Sequence, residues 1–268
     1  EDCPAAVKAF ENYLSKYPTG SYVLDALFMK SECYRRSKEW NKALEGYSAV
    51  SGRGPSPYFE RATLEAARIS YFEQKNYSAA RQYFESLSNL STDPENRQEA
   101  LRGLVRCYYQ LKDYSKAQET ATMLLAGNGV STDDKAIATL LVGKSQQMSG
   151  DCSAAIGSFK TVASINRSSW GAEARYEMAS CYFSGGDMTN AESAAVSVVK
   201  ETGAFDLWVT KAYILIGDIF MQQKDYFNAK ATYESVARNA AIPELKAEAQ
   251  QKLDKAIEAE KSGSRLSY

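Results

Sequence analysis

The sequence predicts an all-α fold, a solenoid of antiparallel helix pairs stacked in one array. Three observations carry the prediction. Seven alanines, Ala6, Ala43, Ala80, Ala117, Ala155, Ala191 and Ala229, recur at gaps of 37, 37, 37, 38, 36 and 38 residues. Around them, similar residue types return three, four and seven positions apart, which is the spacing of one helical face. Four positions before each alanine stands Asp, Asn or Glu. Asp and Asn oxygens accept the orphan backbone N–H groups at a helix start. Self-similarity at a period of about 20–50 residues marks units that bury their apolar faces only against their neighbours.

The elements follow in order. Residues 1–20 read as a half repeat, a second helix without its first. Asp2 caps it, Ala6, Phe10 and Tyr13 share its apolar face, and Pro18 stops it, since proline lacks an N–H and clashes with the preceding turn. Residues 21–242 read as six helix pairs. In the first helix of each pair an aromatic stands nine before the alanine: Tyr34, Tyr71, Tyr108, Tyr182 and Phe220, with Gln146 the exception. Twelve before it the residue is often small (Ser31, Gly143, Ala179, Gly217), although Arg68 and Val105 break the rule. In the second helix Tyr47, Phe84, Phe159 and Tyr233 follow four after the alanine, and Ala121 and Ala195 replace them in two pairs. Seven after it come Val50, Leu87, Leu124, Val162, Val198 and Val236. Small residues let helices approach, and aromatics fill the space between pairs. Ser51 to Pro57 and Asn89 to Asn96 read as long loops between pairs. Residues 243–261 form a capping helix with an apolar stripe of Leu245, Ala249, Leu253, Ala256 and Ile257 and an otherwise polar surface. Residues 262–268 read as a frayed tail.

This phrase of small, aromatic, Ala, Phe and Pro positions resembles the tetratricopeptide repeat (TPR), and the resemblance covers almost the whole chain. The period exceeds that family's usual 34 by about three residues. The resemblance implies a right-handed superhelix whose first helices line a concave groove for extended peptides, a non-catalytic scaffold or adaptor. A 36–38 residue period with endings such as Tyr17-Pro18 is similar to repeats in periplasmic and outer-membrane-associated proteins of Gram-negative bacteria. That implies a piece of a larger envelope-associated protein. The chain starts inside a repeat without an initiator Met, which fits a fragment or a processed piece.

Composition narrows the function. A formal net charge of −1 gives no general pull toward nucleic acid or membrane, so neither is expected as a partner. No apolar run approaches a membrane span. The chain has no histidine, which removes Ser/His/Asp and Cys/His nucleophilic sites and every histidine-bearing metal site. No cofactor, metal or catalytic residue is expected. Glu32 and Glu65 are the conceivable carboxylate pair, and a solenoid-bodied hydrolase is the third reading behind scaffold and self-association. The five cysteines are expected as free, buried thiols, because equivalent positions two or more repeats apart lie beyond disulfide reach and the count is odd. Free thiols favour the cytosol and the period favours the periplasm, so the compartment stays open.

The resemblance places the binding surface on first-helix residues that point away from the alanine ladder. The candidates are Phe28, Glu32, Arg35, Phe72, Arg102, Arg106, Tyr109, Lys144, Tyr176 and Phe183. Aromatics and arginines there suit an interface or packing against the next repeat. Arg102 and Arg106 share one helix side, with Tyr109 one turn on and Lys144 in the equivalent place of the next pair. They suggest a basic strip for an acidic partner segment, unless Glu65, Glu99 or Glu173 neutralises it. Homodimers through the half repeat are the alternative partner, and a solution mass above 29.6 kDa would separate the two.

The ladder alanines generate a stability test. Ala117→Leu and Ala155→Leu should each destabilise by roughly 1–3 kcal/mol through overpacking. Unchanged denaturation midpoints in both would reject this register.

Overall fold

A computed structural model describes residues 2–127 and 129–265. Among them are fourteen α-helices, one π-helical turn and no strand. The helices group into two compact units, Glu1–Gly129 and Val130–Tyr268.

The first unit holds α1 (Cys3–Lys16), α2 (Val23–Arg36), α3 (Trp40–Ser51), α4 (Phe59–Arg68), a π turn (Ile69–Glu73), α5 (Tyr77–Leu90), α6 (Pro94–Gln110) and α7 (Tyr114–Leu125). Each helix packs on the next, and α6 also reaches back to α4. The second holds α8 (Thr132–Met148), α9 (Cys152–Ile165), α10 (Ser169–Ser184), α11 (Met188–Glu201), α12 (Asp206–Gln222), α13 (Tyr226–Asn239) and α14 (Pro243–Arg265). Here too neighbours pack in sequence, while α8, α10, α12 and α14 also touch one another in order. The even-numbered helices therefore make one face of that unit and the odd-numbered helices the other. The last helix continues past Lys261 to Arg265, and residues 266–268 of the expected tail lie outside the described residues.

The capping residues act as the repeat predicts. The side chains of Asp2, Asn76, Asp113, Asp151, Asp187 and Asp225 each accept from the backbone N–H three residues on. Glu39 makes no such bond. Its longer side chain fits the cap geometry poorly, and it pairs with Lys42 at 2.7 Å instead.

One residue before each cap position from Glu39 to Asp225 the chain turns left-handed, at Lys38, Lys75, Lys112, Gly150, Gly186 and Lys224. This closes the first helix: the cap residue's N–H then reaches back to the carbonyl five residues earlier, as Asp113 does to Tyr108 at 2.9 Å. Four of the six positions carry lysine, which suits the negative end of a helix but pays the Cβ penalty of positive φ.

The six ladder alanines from Ala43 to Ala229 are at most 1% exposed. Ala6 is partly exposed, with α2 packed on one side of its helix. Where an aromatic follows four after the ladder alanine, it enters the space between the helices. Phe159 lies where an added Cβ on Gly143 would come within 2.7 Å, and Tyr233 would overlap one on Gly217. Arg68 and Val105 break the small-residue rule, and in the pair of Val105 the residue four after the alanine is Ala121 rather than an aromatic. The close approach of α6 is to the preceding pair, at Gly103 against Phe84 of α5.

The cysteine expectation needs correction. Cys3 and Cys33 form a disulfide, with Cα atoms 5.3 Å apart. Cys107, Cys152 and Cys181 are free. The bond does not join equivalent positions of distant repeats. Cys3 stands three before one alanine, on a second helix, and Cys33 ten before the next, on the first helix packed against it.

Backbone handedness gives a paired test. Lys112→Gly should stabilise by about 0.5–1 kcal/mol, and Gly150→Ala should destabilise by about 1 kcal/mol. Chemical denaturation of both variants reads this, and equal effects at the two sites would contradict the shared geometry.

Candidate partner-binding face

The candidate residues belong to three columns on the first helices. The column fifteen before each ladder alanine contains Phe28, Glu65, Arg102, Leu140, Tyr176 and Ile214. Much of it turns into the packing between pairs: Phe28, Leu140 and Ile214 are buried. Phe28 stacks on Tyr58 with ring centroids 4.6 Å apart and has the Arg61 guanidinium 5.4 Å over its ring. Tyr176 lies 5.6 Å from Trp208, and the Lys211 ammonium sits 5.5 Å and 4.8 Å from their respective centroids.

The column eleven before each alanine contains Glu32, Ile69, Arg106, Lys144, Ser180 and Asp218. Its acidic members are held from behind by tyrosines four after the alanine. Tyr47 donates to Glu32 at 2.5 Å and Tyr233 to Asp218 at 2.6 Å. A cation from the next first helix completes each site: Arg61 reaches Glu32 at 2.7 Å, and Lys252 donates to both Asp218 oxygens at 2.7 and 2.8 Å. Where the residue four after the alanine is Phe, as at Phe84 and Phe159, the column carries Ile69 and Lys144 instead. A buried hydroxyl needs an acceptor, so the two positions match within each pair.

The column eight before each alanine contains Arg35, Phe72, Tyr109, Gln147, Phe183 and Met221. It is the reachable one, since none of its members is buried. Phe72 is 56% exposed and lies in the π turn, where Asn76 N–H bonds the carbonyl of Ser70, one residue earlier than in the other pairs.

In the first unit the expected charges form a continuous ladder of ion pairs. Arg61 meets Glu32 at 2.7 Å, Arg35 joins Glu32 and Glu65 at 3.2 and 3.7 Å, Arg68 joins Glu65 and Glu99 at 3.2 and 3.0 Å, and Arg102 meets Glu99 at 3.1 Å. Glu32 and Glu65 thus share Arg35 and sit within a charge ladder. Lys144 is in the second unit, paired with Glu173 at 2.5 Å. Three members of the basic strip, Arg102, Arg106 and Tyr109, stand together on α6, and Arg102 is engaged by Glu99.

In each unit a cavity with a volume near 500 Å³ opens beside first-helix residues. The first is lined by Phe28, Met29, Glu32, Arg36 and Arg61, with the Cys3–Cys33 disulfide on its wall. The second is lined by Phe183 and Met221, from the same column of consecutive pairs, together with Asp218, Gln222, Tyr233, Glu248, Gln251, Lys252 and Lys255. Sequence reading took Lys252 and Lys255 for the solvated side of a cap and passed over Met29, Arg61 and Trp208. The Trp208–Lys211 spacing was a usable signal, but Arg61 and Lys252 show their role only across a helix interface.

The burial of Glu32 would raise its carboxyl pKa, but the bonds from Tyr47 and Arg35 and the charges of Arg35 and Arg61 outweigh it and hold the group below its ordinary value. Burial pushes the Tyr34 and Tyr108 phenols up to about 12, helped by bonds to Glu11 and Glu85 at the same register.

Stacked antiparallel helix pairs with this residue phrase define a class, the helical-repeat solenoids. Tetratricopeptide-repeat models match residues 71–141 and 210–241, and the chain is a tetratricopeptide-repeat protein. It resembles a tetratricopeptide repeat protein from Parabacteroides merdae at 19% identity and a TM-score of 0.56, over 96% of this chain and 93% of the other. PilW, a widely conserved type IV pilus biogenesis factor, aligns at 16% identity and 0.63, over 85% and 98%. YrrB, a TPR protein with an unusual peptide-binding site, aligns at 15% and 0.55, over 76% and 97%. A search of curated proteins found no match. No helix among the described residues is long and apolar enough to cross a membrane.

The pinned carboxylates give a test. Tyr47→Phe should cost about 1–2 kcal/mol, because Glu32 loses a buried donor. A carboxylate with a lowered folded pKa stabilises above its unfolded pKa and loses that contribution as pH falls through the folded value. Glu32→Gln should therefore cost about 1–3 kcal/mol at neutral pH, with the gap to wild type closing below roughly pH 4. A gap independent of pH would refute the ionised assignment.

Proposed function

We propose that the protein is a non-catalytic scaffold that docks an extended segment of a partner protein on its first-helix face. The observation that carries this reading is the second cavity. Phe183 and Met221 come from consecutive pairs at one register and supply apolar surface, Lys255 lies beside them, and Lys252 stands in ion pairs with Asp218 and Glu248 that a partner carboxylate can exchange with. Such a site suits a segment with an apolar side chain next to a carboxylate. The Arg102, Arg106 and Tyr109 group on α6 offers the same chemistry in the first unit, in exchange with Glu99. The Cys3–Cys33 disulfide favours an oxidising compartment, consistent with a place in a bacterial envelope.

Cross-linking in a cell-envelope extract, followed by mass spectrometry, should identify the partner and place cross-links at Lys252 or Lys255. With that partner in hand, Phe183→Ala with Met221→Ala should weaken binding by about 1–3 kcal/mol while the fold stays cooperative. Arg102→Ala with Arg106→Ala is the companion variant, and its loss should grow at low salt. Unaltered affinity in both double variants would reject this face as the docking surface.

A further inference from the structure

The Cys3–Cys33 bond follows a register rule that the chain uses twice. Cys3 stands three before Ala6, and Cys33 ten before Ala43. Cys152 stands three before Ala155, and Cys181 ten before Ala191. No other residue at the first of these positions is cysteine: they are Trp40, Tyr77, Tyr114, Met188 and Tyr226. Wherever the second helix carries cysteine there, the next first helix carries cysteine opposite it. Cys107 also stands ten before its alanine, but the matching position holds Tyr77. The packing bears out the correspondence, since α9 lies on α10 as α1 lies on α2. The Cys152 and Cys181 sulfurs are 2.7 Å apart, closer than two thiols pack without bonding.

We propose that Cys152 and Cys181 are a redox-active pair that closes to a second disulfide, so that each unit carries one staple between a second helix and the following first helix. The oxidant is a disulfide-bearing species, such as a thiol oxidoreductase or oxidised glutathione. Cys152 is partly exposed and Cys181 is buried, which sets the order of events. The Cys152 thiolate attacks one sulfur of the oxidant, expels the other as a thiol and forms a mixed disulfide. Cys181 then attacks the Cys152 sulfur and releases the second half of the oxidant. Two thiols have lost two protons and two electrons, and the oxidant leaves as two thiols. The closed bond spans a loop comparable to that of Cys3–Cys33, at sequence separations of 29 and 30 residues, and so constrains the unfolded chain to a similar degree. Cys107 remains the one cysteine without a mate, with its thiol buried.

The proposal does not depend on partner binding, so the two fail separately. The full chain is incubated with oxidised glutathione, then denatured and alkylated without reductant. Peptide mapping should show Cys152 joined to Cys181 and Cys3 to Cys33, with alkylation confined to Cys107. In the Cys3→Ser/Cys33→Ser variant, oxidation should remove about 2 Da, and reductant should then lower the unfolding midpoint. Adding Cys152→Ser should abolish both effects. Label on both Cys152 and Cys181 after oxidation, or glutathione retained on Cys152 with Cys181 labelled, would overturn the proposal. If the double variant does not fold, the wild-type peptide map decides alone.

Discussion

Everything in this protein depends on how closely two helices of a pair can approach. The ladder alanine sets that distance, and the rest of each repeat adapts to it. A methyl group at Ala43 or Ala155 leaves room for Tyr47 or Phe159 one turn later to enter the space between helices. Neither helix of a pair buries its apolar stripe alone, so stability accumulates through neighbour contacts. The left-handed residue before each cap belongs to the same constraint, because it brings the second helix back against the first within three residues.

Close packing decides the chemistry of the first-helix face. Space taken by a tyrosine rather than a phenylalanine leaves a hydroxyl in a dry interface, and that hydroxyl must find an acceptor. Glu32 and Asp218 fill this role, and each then needs a cation from the next helix. A choice made in the core thus fixes charges at the surface. The same logic produces the Arg–Glu ladder of the first unit, where Glu and Arg three apart on one helix meet their counterparts on the next. These charges are partnered at close range, so this side of the first unit presents matched ion pairs rather than a net field.

Interior and exterior also divide along the columns. Sequence spacing marks three columns as facing away from the alanines. Packing draws much of one into the inter-pair core, pins the charges of Glu32, Lys144 and Asp218 in the second, and buries no member of the third, which holds Phe72, Tyr109 and Phe183. Arg175 shows the opposite case, a cation 5% exposed whose guanidinium bonds the carbonyls of Ala163, Asn166 and Gly171 and the Glu201 carboxylate, holding α9, α10 and α11 together. A buried arginine with four partners is structural, although its residue type alone suggests recognition.

The sequence by itself determined the helical class, the position of each ladder alanine, the capping residues and the residues that fill each pair. Those features are local or strictly periodic: a cap is satisfied within three residues, and a helical face repeats every three or four. Only the tertiary structure decided which surfaces meet across pairs. The partnership of Cys3 with Cys33, of Arg61 with Glu32 and of Lys252 with Asp218 depends on how one helix is rotated against the next, and no spacing within a helix records that rotation. For the same reason Phe28 and Phe72, both aromatics on first helices, part company: one stacks on Tyr58 in the core, and the other meets solvent at the π turn.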